Sequence, residues 1–339
     1  MKKTFKIVYI VLFFLMLCLP MALMPFFKND ARLEKRALAK RPSYLADGRL
    51  NLDFSDQFEA WVNDSLPLRA KVLTVSNYLQ GELLHGQTSN VIDGRDGWLF
   101  FASEAPDYMG TNLLSDSQIR SMAITLSLLQ EQTEANGGHF LFVPVPNKSS
   151  VYGAYMPARY AKSDVSNLTR LTALMPEYDV AFADLLQILS ERKEEGLYHR
   201  RDSHWNYRGA LMAADVILTG LDRPHDSHAD ASWTVEQNWR GDLEQLLLPA
   251  GTGLDAQVYY DIPHADFVFT RPQGVRDTLA QLENFMSDRE DHDDHFSTQN
   301  KVLTDGSNLF MARDSFGRAL LPYMIDRYET ATFRRMDAP

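Results

Sequence analysis

Two short stretches of this 339-residue chain hold side chains able to do covalent chemistry. The first is Tyr198-His199-Arg200-Arg201-Asp202-Ser203-His204-Trp205-Asn206-Tyr207-Arg208-Gly209. Asp202 and His204 are two apart, so on an extended segment both side chains point to the same side. A carboxylate beside an imidazole fixes its tautomer and stabilises its protonated form, as a general base in acyl transfer requires. The spacing equally fits a loop in which Asp202 caps the helix beginning near Asn206 and His204 packs on Trp205.

The second stretch runs from Ser307 to Leu321 and contains Arg313-Asp314-Ser315-Phe316-Gly317. Leu309 to Met311 reads as a strand, Arg313-Asp314 as a turn and Ser315 as the start of a helix. A serine at such a corner is presented at the carboxyl end of a sheet, where its own N–H can face a developing oxyanion. An ordinary helix N-cap has the same residue types. Together the two stretches hold the parts of a serine acyl-transfer triad: Ser315 as nucleophile, His204 as base and Asp202 as orienter.

The elements that must position these groups follow from pattern. A helix is expected from Ser115 to about Ala135, closed by Asn136-Gly137-Gly138. The run His139 to Val145 reads as a buried strand. A helix over 165–175, a short strand at Val180-Ala181-Phe182, a helix from Asp184 to about Glu195 and a helix over 207–219 follow. Helices alternating with short apolar strands predict an α/β domain with a largely parallel sheet. Residues 91–101 read as a hairpin turning at its Asp and Gly residues. Residues 221–300 are polar and loop-rich, with one strand-like run at Phe267-Val268-Phe269, and are expected to be an insertion. Phe54, Phe58, Trp61 and Val62 recur at helical spacing and predict one buried helix face.

Charge narrows the function further. The formal net charge is −11, but residues 1–41 carry a balance of +7 and the remaining 298 residues one of −18. A body that acidic is a poor general binder of nucleic acid. The single cysteine, Cys18, allows neither an internal disulfide nor a Cys-based zinc site. From Ile7 to Phe27 no residue is charged, and Lys2, Lys3 and Lys6 precede the run. That length fits a bilayer span, and no small-x-small cleavage site follows, so residues 1–28 are read as an uncleaved signal anchor. Residues 29–60 are read as a stalk, and 61–339 as the catalytic domain. Lys and Arg flank both ends of the apolar run, so the positive-inside count does not orient it; a body without thiols suits export.

The chain resembles the exported SGNH-hydrolase-like family that includes the alginate O-acetyltransferases of the bacterial periplasm. The resemblance is specific in Asp202-Ser203-His204-Trp205-Asn206 and Arg313-Asp314-Ser315-Phe316-Gly317, in that order. Support comes from Glu34-Lys35-Arg36-Ala37-Leu38, from Phe58, Asp64, Pro67 and Arg69, and from Asp96-Gly97-Trp98-Leu99-Phe100. The Val145 to Tyr152 segment and Gly241-Asp242-Leu243 add to it. The resemblance implies a three-layer SGNH-like fold with a mostly parallel sheet and a Ser-after-His order, permuted relative to common SGNH esterases. It implies the triad Ser315, His204 and Asp202, a polysaccharide acceptor, and acetyl groups supplied by a multi-span membrane acyltransferase. An acetylesterase with the same triad, or a non-catalytic glycan-binding subunit, are the alternative expectations. Relatives usually continue beyond the point corresponding to Pro339, and some carry a carbohydrate-binding domain there, so glycan recognition is expected from the core or a partner.

Lys148, Tyr152, Trp205 and Arg313 are the expected substrate contacts. Lys148 and Tyr152 follow the run ending at Val145, where an α/β sheet places ligand contacts and where a structural turn is the other reading. Arg313 can hold an anion or pair with an acid. No cofactor or metal is expected: the acidic, histidine-bearing run Asp288 to His295, and His225 with His228, lack a recognisable ligand spacing. The negative body argues against a polyanionic acceptor such as alginate and for a neutral or amino-bearing glycan, or for a local Arg-lined groove.

Overall fold

The computed structural model describes residues 2–24, 26, 38–46, 49–67, 69–84, 90–228, 230–262, 267–270, 276–277 and 295–336. The chain divides into two units, one of residues 1–93 with 240–253 and one of residues 94–239 with 254–339.

In the first unit, Lys2–Leu23 is a 22-residue α-helix with Pro20 inside it. Several of its positions have side chains outside the described set. Among the described residues no helix is long and apolar enough to cross a membrane. Most of the stalk's first half, like the Glu34 to Ala37 motif, lies outside the described residues. The expected boundary at residue 60 falls inside the helix Phe54–Ser65, so stalk and following segment are one continuous element. The aromatic face of this helix is not buried. Tyr44 stacks on Phe54 at 4.1 Å, Phe54 on Phe58 at 5.7 Å, and Phe58 meets Trp61 at 5.6 Å, yet Phe58 stays 42% exposed. The buried side chain of the helix is instead Asp64, whose carboxylate accepts the Ala39 N–H at 2.8 Å. Helix Arg69–Leu84 is tied to the end of helix Asp242–Leu247 by Asn77 Nδ2 donating to the Leu247 carbonyl, and to the segment after it by the Ala250 N–H donating to Thr74 Oγ1.

The second unit carries the candidate chemistry. Helix Asp116–Ala135 starts with a capping box between Ser115 and Gln118, which satisfies backbone donors that the first turn leaves open. Ile119 and Ala123 on its inner face pack with Leu171, Met175 and Val180. The apolar runs at 139–145 and 180–182 are strand-like in sequence. They touch in parallel through a single bridge, Phe142 to Phe182, with the Phe142 N–H donating to the Ala181 carbonyl and the Ala183 N–H to the Phe142 carbonyl.

The main sheet is mixed, which corrects the mostly parallel expectation. Its order is Asn308–Arg313, Thr330–Arg335, His295–Asn300, Phe267–Thr270, Arg276–Asp277. The first pair is parallel, with Asn308 opposite Thr330; the remaining pairs are antiparallel. Three of these strands, Phe267–Thr270, Arg276–Asp277 and His295–Asn300, come from the segment expected to be an insertion, so 221–300 contributes to the core of the sheet. The physical reason is aromatic: Phe267, Phe269, Phe296 and Phe333 are all buried, and Phe296 stacks on Phe333 at 5.0 Å. A polar, loop-rich composition hid three buried phenylalanines, each of which removes a large apolar area from water. Within the same segment, Trp233–Trp239 and Asp255–Tyr260 form a separate antiparallel ribbon.

Helix Tyr207–Gly220 begins at the N-cap Asn206, whose side-chain oxygen accepts from the Arg208 and Gly209 N–H groups. The cap is therefore Asn206 and not Asp202, which leaves the Asp202 carboxylate for other partners. Gly209 lets this helix approach closely, since a Cβ there would lie 2.4 Å from the Leu197 carbonyl oxygen.

Candidate active site

Residues 198–205 fold back on themselves. Tyr198 bridges Trp205 antiparallel, and the His199 N–H donates to the His204 carbonyl at 3.2 Å. Three carbonyls on the inside of this loop converge on one buried ammonium: Lys148 Nζ donates to His199 O at 3.2 Å, Arg200 O at 3.1 Å and Asp202 O at 2.6 Å. Lys148 is fully buried and lies over the Trp98 and Phe100 rings. Three donors on one point charge match three acceptors, which is what makes burial of a lysine tolerable.

The loop presents Asp202 and His204 as a pair. Asp202 is 2% exposed, and its Oδ1 accepts the His204 N–H at 3.0 Å and lies 2.7 Å from His204 Nδ1. An ionised carboxylate only accepts, so Nδ1 carries the proton and Nε2 is left as an acceptor. His204 Nε2 is 2.8 Å from Ser315 Oγ. Ser315 follows the strand Asn308–Arg313 in right-handed helical conformation (φ −65°, ψ −29°) and its hydroxyl makes no cap. The cap-like bond of the turn is made by Asp314, whose Oδ1 accepts the Phe316 N–H at 2.9 Å. The N-cap reading of Ser315 therefore gives way to one in which the hydroxyl donates to the imidazole. The helix expected after it is a 3-10 turn, Phe316–Leu320, continued by Leu321–Met324.

The two stretches are also pinned to each other outside the triad. Trp205 Nε1 donates to the Phe316 carbonyl at 3.1 Å. The Phe316 ring packs on His204 at 4.7 Å and on Trp205 at 5.4 Å. The imidazole thus has one face against an aromatic ring and both nitrogens engaged.

The four expected substrate contacts all lie in the interior of the structure. Lys148 is consumed by carbonyls of the loop. Tyr152 is buried, its hydroxyl donating to the Lys193 carbonyl at 2.6 Å and accepting the Leu197 N–H at 2.8 Å; burial pushes its pKa up. Trp205 is buried and spends its one donor on Phe316. Arg313 is buried too, with a guanidinium N–H donating to the Asp314 carbonyl at 3.0 Å. All four side chains are buried, and the partners given for them are groups of the chain itself. His225 pairs with Asp215 at 2.8 Å, and His228 accepts from Arg327. Of the Asp288 to His295 run, residues 288–294 lie outside the described residues, and His295 opens a strand.

One further polar contact reaches Asp202 from outside the two motifs. Trp239 Nε1 donates to Asp202 Oδ2 at 3.0 Å. The Trp239 ring stacks on His199 at 4.9 Å with 3° between planes. His199 in turn places Nδ1 at 3.0 Å from the Ala256 carbonyl. Burial holds the His199 pKa at about 4, against the raising pull of Asp202 and Asp255. No local motif marks Trp239, since its neighbours Asn238 and Arg240 carry no pattern toward Asp202.

Fold and site together define an SGNH-hydrolase-like α/β protein, with a carboxylate, an imidazole and a serine hydroxyl in hydrogen-bonded line. The family described as "SGNH hydrolase-like domain, acetyltransferase AlgX" matches residues 91–266, and the chain belongs to that family. The matched span includes Asp202, His204 and Trp239 and ends before Ser315. Two curated relatives are named "Probable alginate O-acetylase AlgJ". The one from Pseudomonas putida is 23% identical over 58% of this chain and 52% of its own length. That from Pseudomonas aeruginosa is 25% identical over 58% and 51%. The chain thus spans about half the length of the curated relatives it matches. Among solved structures, Bacillus cereus PatB1 superposes with a TM-score of 0.55 at 16% identity, over 71% of this chain and 85% of that one. PatB1 with a sulfonyl adduct gives 0.56 at 15% identity, over 74% and 86%. At such identities the likeness is one of fold.

Proposed function

We propose that this chain is an O-acetyltransferase that moves acetyl groups onto hydroxyls of a bacterial polysaccharide, with Ser315, His204 and Asp202 as its catalytic triad. The observation that carries the reading is the unbroken line from Asp202 Oδ1 through His204 to Ser315 Oγ, with contacts of 2.7 and 2.8 Å. Family membership supplies the class of acyl group and acceptor.

In the first half-reaction the Ser315 hydroxyl proton passes to His204 Nε2 while Oγ bonds to the acetyl carbonyl carbon of the donor. The donor's bond to that carbon then breaks, and the leaving group takes the proton from Nε2. In the second half-reaction a sugar hydroxyl gives its proton to Nε2 and its oxygen bonds to the acetyl carbon. The Ser315 ester bond breaks and Oγ recovers the proton. Asp202 keeps the imidazole in the tautomer that accepts at Nε2 and stabilises the imidazolium formed in each half. The Ser315 backbone N–H is the oxyanion donor in this scheme.

The same reading places the body outside the cytoplasm, held by the helix at residues 2–23, with acetyl groups arriving from a multi-span membrane acyltransferase. The acceptor is a neutral or amino-bearing glycan, since a body of net −18 does not draw in a polyanion by its overall field. The test is acetyl-donor turnover with p-nitrophenyl acetate, with and without an oligosaccharide acceptor, read by mass spectrometry. Acetylated oligosaccharide that disappears in Ser315→Ala is the expected result. Donor loss with no acetylated sugar at any acceptor concentration overturns transfer in favour of hydrolysis. Protease treatment of intact cells tests the placement: a body that remains protected in the cytoplasm contradicts it.

A further inference from the structure

We infer that Trp239 is a positioning residue for the triad, acting through Asp202 and supplied by the strand Trp233–Trp239; the inference rests on the function proposed above. A carboxylate orients an imidazole well only if it is itself held. Asp202 Oδ1 takes both bonds from His204, so rotation about the carboxyl group is controlled at Oδ2, and Oδ2 accepts the Trp239 indole N–H at 3.0 Å.

The strand is shaped for this contact. Trp233–Trp239 pairs with Asp255–Tyr260 in regular register from Trp233 to Glu236, and the register then shifts before Trp239 meets Asp255. A bulge of this kind re-aims a side chain, and bulges occur beside active sites for that reason. The indole is fixed on its face by His199, stacked 4.9 Å away and nearly parallel. His199 is anchored by donating Nδ1–H to the Ala256 carbonyl and has Gln257 Nε2 3.4 Å from its Nε2. The same partner strand holds the loop backbone, with Asp255 Oδ2 accepting the Arg201 N–H at 2.8 Å. One two-stranded ribbon therefore supplies the donor to Oδ2, the Ala256 and Gln257 groups that hold the His199 ring stacked on that donor, and a brace for the loop that carries Asp202 and His204.

The orienting hydrogen bond predicts a specific pair of variants. Trp239→Phe keeps an aromatic ring against His199 and removes the N–H. Trp239→Gln removes the ring and keeps an N–H of similar reach. With p-nitrophenyl acetate, Trp239→Phe should lower kcat about 10- to 100-fold, the range for loss of one hydrogen bond to a charged group, with KM unchanged. Trp239→Gln should recover most of that loss despite packing less well. The low-field proton resonance of His204 Nδ1–H should weaken in Trp239→Phe and return in Trp239→Gln, and thermal melting reports folding independently. Wild-type kcat and an unchanged resonance in Trp239→Phe would overturn the inference, as would equal losses in both variants, because packing alone then explains the residue. If the wild type itself neither turns over the ester nor acquires an acetyl group on Ser315, the function proposed above fails first and takes this role with it.

Discussion

Ser315 Oγ and His204 Nε2 lie 2.8 Å apart although 111 residues separate them in the chain. The contact joins the end of a strand to a loop clamped around a buried lysine, and it fixes which atoms can exchange a proton. Ser315→Ala and His204→Ala should each lower turnover of an activated acetyl ester by about 10⁴-fold or more. The double variant should be little worse than either single one, because the two groups act as a unit. Steady-state kinetics on the three proteins checks this, and additive losses would contradict a shared proton transfer.

Asp202→Asn tests the tautomer argument. The amide nitrogen can donate to His204 Nδ1, which then holds the proton on Nε2 and blocks acceptance from Ser315. A fall in kcat of about 10⁴-fold with KM little changed is expected, and ¹⁵N chemical shifts of His204 should report the switched tautomer.

Lys148→Met separates a ligand contact from a structural clamp. It replaces the ammonium by an apolar group of similar length and leaves three inward carbonyls without their donor. The cost should be about 3 kcal/mol of stability, measured by urea unfolding. A stable variant with only a raised KM would return Lys148 to substrate binding.

Gly209→Ala adds a Cβ against the Leu197 carbonyl, where 2.4 Å is available. Helix Tyr207–Gly220 must move away or the loop before it must yield, at about 1–3 kcal/mol. The thermal midpoint should fall, and activity with it, since Leu197 leads directly into the residues 198–205 that hold the triad.

His199 gives stability a pH dependence of known sign. Its folded pKa is depressed to about 4 from the usual 6.5, so the unfolded chain binds the proton first as pH falls. Stability is full above pH 6.5, declines between 6.5 and about 4, and loses nothing further from this group below that. Melting curves across this window should flatten in His199→Gln relative to wild type. An unchanged slope would place the acid sensitivity elsewhere.

The local sequence made part of this site legible and concealed the rest for identifiable reasons. Asp202 and His204 could be paired because a spacing of two is a geometric statement about one short segment. Ser315 could be placed at a corner because strand, turn and helix signals follow one another there. The surroundings of Lys148 are not legible locally, because its position after an apolar run says nothing about whether its side chain turns outward or inward to a loop 51 to 54 residues away. Trp239 was invisible because its partner is 37 residues distant and its aim depends on a register shift. The sheet was misjudged for a similar reason. The run Phe267 to Phe269 has the length of a strand, but strand length does not state a partner, and antiparallel pairing with His295–Asn300 is set only when buried phenylalanines from three strands meet.

The sequence by itself determined the chemistry available: one carboxylate and one imidazole in fixed local relation, one serine at a strand end, and an acidic body behind a basic, apolar N-terminus. Those are properties of residue type and spacing over a few positions, and no folding is needed to read them. Only the tertiary structure decided which hydroxyl the imidazole meets, which way each buried cation faces, and that an indole from a bulged strand grips the far oxygen of Asp202. Each of these depends on groups tens of residues apart being brought within 3 Å, and the energy that does so comes from packing and buried hydrogen bonds distributed over the whole unit.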